Sequence, residues 1–217
     1  MARIVLVRHG QASHGAADYD KLSNLGHMQA RWLGEYMRDH QMTFDRVVRG
    51  GLRRHRETWE GMQAVLGMPT ADTDRRFDEL HYEVLEREYL RNTGSNAPNS
   101  REDFLTLFPR LFSHWESGDL TEAQESFDTF RARVRAGISD VLDTGSSTLI
   151  VTSGGVIGVA LADVLGLGTR ATADLMLNIH NASVHELRQE GGRLRLALYN
   201  ASPHLDPQDR SYARTYV

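Results

Sequence analysis

Short β-rich runs alternate along this chain with stretches of helical periodicity, and that alternation restricts it to α/β architectures. The runs are Ile4 to Val7, Arg46 to Arg49, Thr148 to Thr152, Val184 to Leu187 and Leu194 to Tyr199. Between them, Leu25, Met28, Leu33, Tyr36 and Met37 fall roughly on one face of a helix that Ser23 can start, and Leu52 to Leu66 and Val156 to Leu165 repeat the pattern. Strand then helix, repeated, predicts a mostly parallel sheet with helices on both faces, a three-layer αβα sandwich. The last two runs are separated by Glu190, Gly191, Gly192 and Arg193, a turn that predicts a hairpin and makes the sheet mixed.

From Glu83 to Thr144 the alternation gives way to long helical segments, with a polar Gly, Ser and Pro loop over Asn92 to Arg101. This stretch reads as a helical insertion, approximately 83–144, within a single domain spanning 1–217. Phe104, Leu107, Phe108, Leu111, Phe112 and Trp115 have helical spacing, as do Phe127, Phe130, Val134, Ile138, Val141 and Leu142. The spacing predicts two helices packed on each other and on the sheet, and a cap over a substrate site is its functional reading.

The chain is 40% hydrophobic, carries a net charge of -4 and has no cysteine. That suits a globular protein and excludes disulfides, thiolate catalysis and cysteine metal sites. No apolar run approaches the ~20 residues that span a bilayer, and Met1-Ala2-Arg3 passes at once into the first strand. A cytoplasmic protein with no membrane partner is expected. Without a dense Lys/Arg block, no nucleic-acid partner is expected either. Nothing calls for a metal or a cofactor, and the oligomeric state is left open, a dimer being compatible.

The first run ends on Val7-Arg8-His9-Gly10-Gln11-Ala12. The carboxyl end of a strand is where open α/β sheets do chemistry. A neutral imidazole is a nucleophile, and an adjacent guanidinium offers rigid paired donors to a phosphate. Taken alone, the triplet reads first as a strand-end turn with a solvated arginine. Three further segments add to it: Leu22-Ser23-x-x-Gly26-x-x-Gln29-Ala30, Leu52-x-Arg54-x-x-x-Thr58, and Val151-Thr152-Ser153-Gly154-Gly155-Val156-Ile157. Asn181-Ala182-Ser183-Val184 and Pro203-His204-Leu205 are weaker matches. Together these segments resemble the histidine phosphatase superfamily, the group that includes the cofactor-dependent phosphoglycerate mutases.

The resemblance implies an α/β fold and a mechanism. His9 would attack the phosphoryl phosphorus, forming a phosphohistidine that water cleaves without a metal. Arg8 and Arg54 would clamp the nonbridging oxygens. Glu79, within Phe77-Asp78-Glu79-Leu80-His81-Tyr82, would protonate the leaving oxygen, with Asp78 and Glu83 as rivals and His81 as a loop residue within reach. Gln11 and Ser13 would either donate neutral hydrogen bonds to the phosphate or satisfy their own loop. Ser153 and Gly154 would meet the anion at the start of a helix, where serine is also a preferred cap.

Two departures stand out. The family places a second histidine where this chain has Ser153, and Ser-Ser-Pro where it has Arg49-Gly50-Gly51. The shorter side chain leaves room for water or for another histidine, and His180, His185 and His204 lie near the family's carboxyl-terminal motifs. The expected function is hydrolysis of a small-molecule phosphate ester. The alternative is a catalytically impaired phosphate-binding or regulatory module of the same fold.

Overall fold

The computed structural model describes residues 2–13, 20–68 and 70–216. Six strands form one sheet in the order β3-β2-β4-β1-β5-β6. They are β1 (Arg3–Arg8), β2 (Arg46–Arg49), β3 (Asp72–Thr73), β4 (Ser147–Thr152), β5 (Val184–Glu190) and β6 (Arg193–Ala201). β1 runs parallel to β4, with Leu6 opposite Ile150, and antiparallel to β5, with Leu6 opposite His185. The sheet is therefore mixed, as the glycine turn predicts. Gly191 and Gly192 both have positive φ, 58° and 75°, which a two-residue turn matching the strand twist requires. β3 has no counterpart among the predicted runs, because it is two exposed residues with no apolar pattern.

The alternating pleat of β1 sorts its side chains between two cores. Val5 and Val7 join Val47, Leu149 and Val151 against helices α1 (Asn24–Asp39) and α2 (Arg53–Leu66), through Leu33, Met37, Trp59 and Met62. Ile4 and Leu6 join Val48 and Ile150 against the other layer, formed by α3 (Tyr82–Thr93), α4 (Arg101–Glu116), α5 (Phe127–Asp143), α6 (Gly154–Leu165) and α7 (Thr169–Met176). These are the three layers of an αβα sandwich. The aromatics between 83 and 144 share this second core with the sheet, and Phe112, Trp115, Phe127 and Phe130 contact one another with ring centroids 5.3 to 5.6 Å apart. Residues Gly154 to Ala162 of α6 are all buried, so this helix runs through the protein and its first turn is fixed on all sides. Among the described residues, no helix is long and apolar enough to cross a membrane.

The four parallel strands end on one edge, and each hands over to a segment carrying a candidate site residue. β1 ends on Arg8 and His9, β2 leads through Gly50-Gly51 into α2, β3 leads to Glu79, and β4 leads through Ser153 into α6.

Candidate active site

His9 is buried just beyond β1. Its N–H donates to the Thr152 carbonyl at 2.8 Å and its own carbonyl accepts from Ala182 N–H at 3.1 Å, so the backbone is held from β4 and from the approach to β5. The next N–H, from Gly10, donates to Thr58 Oγ1 at 3.0 Å, and that hydroxyl donates to the Arg54 carbonyl at 2.7 Å. The first and third sequence segments are thus bonded together. The second joins them by close packing: a Cβ on Gly10 would lie 2.4 Å from the Gly26 carbonyl oxygen, and one on Gly26 would lie 2.2 Å from that of Gln11.

His9 Nδ1 lies 2.7 Å from the Gly10 carbonyl oxygen. A carbonyl can only accept, so Nδ1 carries the proton and Nε2 keeps its lone pair. Burial pushes the imidazole well below the usual histidine range, and the charges of Arg54 and Arg8, then His55, push it the same way. His9 is a neutral base beside two cations.

Arg8 donates from Nη1 to the Ile179 carbonyl at 2.5 Å, and its guanidinium runs along the first turn of α6, where a Cβ on Gly154 would sit 3.6 Å from Nε. Arg54, in the first turn of α2, is buried and pairs through Nη1 with Asp20 at 2.7 Å. Such guanidiniums can hold the charge of a transferring phosphoryl group.

Glu79 lies against the same helix start. Its Oε2 accepts from Gly155 N–H at 3.1 Å and its Oε1 from Leu80 N–H at 3.0 Å. A Cβ on Gly155 would lie 2.2 Å from Oε1, so glycine there is what admits the carboxylate. The segment is pinned by Thr152 Oγ1 donating to the Phe77 carbonyl at 2.7 Å and by Arg133 Nη1 donating to the carbonyls of Arg76 and Asp78 at 2.7 and 2.8 Å. Asp78 turns instead to the Gly50-Gly51 turn, accepting from Gly51 N–H, and burial raises its pKa. Glu83 and His81 are exposed. Ser13 Oγ donates to the Leu22 carbonyl at 3.1 Å, and Gln11 Oε1 accepts from Ser23 Oγ at 2.8 Å. Both side chains therefore bond within the loop joining β1 to α1.

Ser153 is the N-cap residue of α6, yet its hydroxyl makes no cap hydrogen bond. It lies 2.6 Å from Nε2 of His55, and both residues are fully buried. His55 is thus the histidine that fills the space beside Ser153, in place of the sequence candidates His180, His185 and His204. His185 and His180 sit on the other side of β1, where His185 bonds to Ser183 and to Asn200 N–H and His180 faces Ser202, and His204 is buried in the turn Pro203–Leu205 that follows β6. The His55 ring is 5.8 Å from the His9 ring, centroid to centroid. Its Nδ1 faces Gly50, where a Cβ would lie 2.2 Å away. Burial, then Arg54 and Arg49, hold His55 well below the usual histidine range.

Residues 4–202 match the Histidine phosphatase superfamily (branch 1). The chain belongs to that superfamily. It is 29% identical over 192 residues to a Photorhabdus laumondii protein named "Probable phosphoglycerate mutase GpmB", covering 85% of this chain and 83% of that one. Among solved structures, the native mycobacterial glucosyl-3-phosphoglycerate phosphatase superposes with a TM-score of 0.66 at 24% identity, covering 92% of this chain and 99% of that one. A phosphoserine phosphatase from Entamoeba histolytica, in complex with 3-phosphoglyceric acid, gives 0.69 at 15% identity, covering 94% and 100%. These two likenesses show the fold. The superfamily and its named relatives support phosphatase or mutase activity.

For a histidine phosphatase, the unexpected residue is His55. Sequence reasoning passes over it because it sits in the basic string Arg53-Arg54-His55-Arg56, which reads as a solvated helix start. A signal was nevertheless present in the pairing of the two departures. Gly50 follows β2 and Ser153 follows β4, and these strands are neighbours, with Gly50 N–H donating to the Val151 carbonyl at 3.0 Å.

Proposed function

We propose that this protein is a phosphatase that hydrolyses a small phosphomonoester through a phosphohistidine on His9. The observation that carries this reading is the 2.7 Å approach of His9 Nδ1 to the Gly10 carbonyl oxygen, which assigns the ring proton to Nδ1 and leaves a neutral Nε2 beside Arg8 and Arg54. In the first step Nε2 attacks phosphorus, the P–O bond to the leaving alcohol breaks, and Glu79 supplies the proton that the departing oxygen needs. In the second step water attacks the phosphohistidine, the P–N bond breaks, and the Glu79 carboxylate takes up a proton from that water. Arg8 and Arg54 hold the nonbridging oxygens through both steps. The products are inorganic phosphate and the free alcohol.

Ser153, standing where the superfamily has its second histidine, favours one other reading: a module that binds phosphate without turning it over. The relatives named phosphoglycerate mutases raise the further outcome of phosphoryl return to the substrate. One assay separates the three. Purified protein and His9→Ala are incubated with 4-nitrophenyl phosphate and with 3-phosphoglycerate in metal-free buffer, following free phosphate and the position of the phosphoryl group. Phosphate release that His9→Ala abolishes supports the phosphatase. Isomerisation without release points to a mutase, and no turnover alongside saturable vanadate binding points to the module.

A further inference from the structure

We propose that His55 stands in for the missing second histidine of the site, acting through the Ser153 hydroxyl, so that the donor set around the phosphoryl group is complete although its imidazole comes from a different helix. The inference rests on the reading of His9 as the phosphoryl acceptor.

Three positions meet in space. Ser153 gives up a ring at the start of α6, and His55 brings one in from the first turn of α2, its Nε2 2.6 Å from Ser153 Oγ. Gly50 makes the room, because any Cβ there would lie 2.2 Å from His55 Nδ1 and 2.7 Å from Cε1. The glycine has no need of left-handed backbone, so close approach of the ring is what requires it. The two departures from the superfamily pattern therefore meet at one imidazole, Gly50 on its Nδ1 side and Ser153 on its Nε2.

The direction of the hydrogen bond follows from what surrounds the ring. Nδ1 is buried with no partner among the described residues. A buried N–H without a partner is rarer than an under-satisfied acceptor, so the proton belongs on Nε2, which donates to Ser153 Oγ. Because Oγ accepts that bond through a lone pair, the hydroxyl keeps its own proton to give. It stands one residue before Gly154, which packs on the Arg8 guanidinium, and two before Gly155, which holds Glu79. A phosphoryl group on His9 would be met there by a hydroxyl polarised by an imidazole, which makes it a stronger donor than an isolated serine. His55 is a positioning residue in this arrangement, and Ser153 is the donor.

The test moves the imidazole back. The variants are His55→Leu, which fills the volume without a donor; His55→Gln, which keeps an N–H at similar reach; Ser153→Ala; the double variant His55→Leu with Ser153→Ala; Ser153→His; and His55→Ala combined with Ser153→His. Each is assayed for kcat and KM on 4-nitrophenyl phosphate and for vanadate affinity, with thermal melting to confirm folding. Loss of a polarised donor predicts that His55→Leu and Ser153→Ala each lower kcat about ten- to thirtyfold with KM nearly unchanged, and that the double variant is no worse than either. His55→Gln should keep activity within about threefold of wild type. Ser153→His alone should be at least as poor as His55→Leu, because two rings cannot share 2.6 Å, whereas the transposed pair should recover most of the activity. Multiplying losses in the double variant, a transposed pair no better than His55→Leu, or His55→Gln as poor as His55→Leu would overturn the proposal. If the wild type turns nothing over, it is the phosphatase reading that fails. Vanadate affinity then decides the role of His55: the same order of variants supports it, and unchanged affinity across the set overturns it.

Discussion

On the proposed mechanism, Glu79→Gln removes the proton for the leaving group while leaving the fold around it almost intact. The carboxylate accepts from two backbone N–H groups, Leu80 on Oε1 and Gly155 on Oε2. An amide can satisfy only one of them, so the variant leaves one N–H facing an NH2, a local cost of about 1 to 3 kcal/mol. The chemical loss is larger: a positioned general acid contributes about 10²- to 10⁴-fold, and only where the leaving oxygen needs a proton. An alkyl phosphate should therefore slow by that factor, while 4-nitrophenyl phosphate, whose phenolate leaves unaided, should slow less than about tenfold. Gly155→Ala should reproduce the pattern with the carboxylate still present, because its Cβ would sit 2.2 Å from Oε1 and 2.8 Å from Leu80 Cδ2 and drive the side chain off the helix start. The assay is kcat/KM for a leaving-group series at fixed pH, with Asp78→Asn as the comparison. Equal losses for alkyl and aryl esters in Glu79→Gln, or a leaving-group-dependent loss in Asp78→Asn instead, would refute the assignment.

Asp20→Asn should tighten phosphate as a competitive inhibitor by up to about fivefold, since the half-exposed carboxylate that pairs with Arg54 at 2.7 Å competes with the ligand for about 0.2 to 1 kcal/mol; an unchanged inhibition constant would count against Arg54 as a phosphate ligand. Gly10→Ala should destabilise the protein by at least about 1 to 3 kcal/mol, because its Cβ would overlap the Gly26 carbonyl oxygen at 2.4 Å, and a melting temperature equal to wild type would contradict that contact. Acid should unfold the protein early. Burial first, then Arg8 and His180, push His185 down to about 3 from an ordinary 6.5, and burial, Arg210 and Arg214 do the same for His204. The unfolded chain binds protons at both positions that the folded chain refuses, so this stability is fully present above pH 6.5 and is lost at about 1.4 kcal/mol per pH unit for each residue as pH falls toward 3. Urea midpoints between pH 7 and pH 5, above the carboxylate range, should fall for the wild type and less steeply for His204→Gln.

The sheet and its layers were legible because period-2 and period-3.6 patterns report burial directly. Ile4 and Leu6 face one core, Val5 and Val7 the other, and the glycine pair at 191–192 fixes the hairpin. Arg8, His9 and Arg54 were legible as a group because their motifs are local in sequence and the fold ties them by short bonds, Gly10 to Thr58 and Thr58 to Arg54. What escaped was long-range and steric. His55 and Ser153 are 98 positions apart, and their contact depends on a Cβ missing at Gly50, a property of three segments at once that no periodicity encodes. Gln11 and Ser13 illustrate the opposite limit: polar residues after a strand look alike in sequence whether they face a ligand or their own loop, and here they bond to Ser23 and Leu22.

The central claim is that His9 Nε2 accepts the phosphoryl group. It is tested most directly by rapid-quench labelling: the protein is mixed with a phosphomonoester carrying labelled phosphorus, quenched in alkali within milliseconds, digested and mapped by mass spectrometry. The account predicts an acid-labile, alkali-stable phosphoryl group on the peptide containing His9, formed and lost at rates that match turnover and absent from His9→Ala. A label on any other residue, or one that persists in His9→Ala, would contradict it.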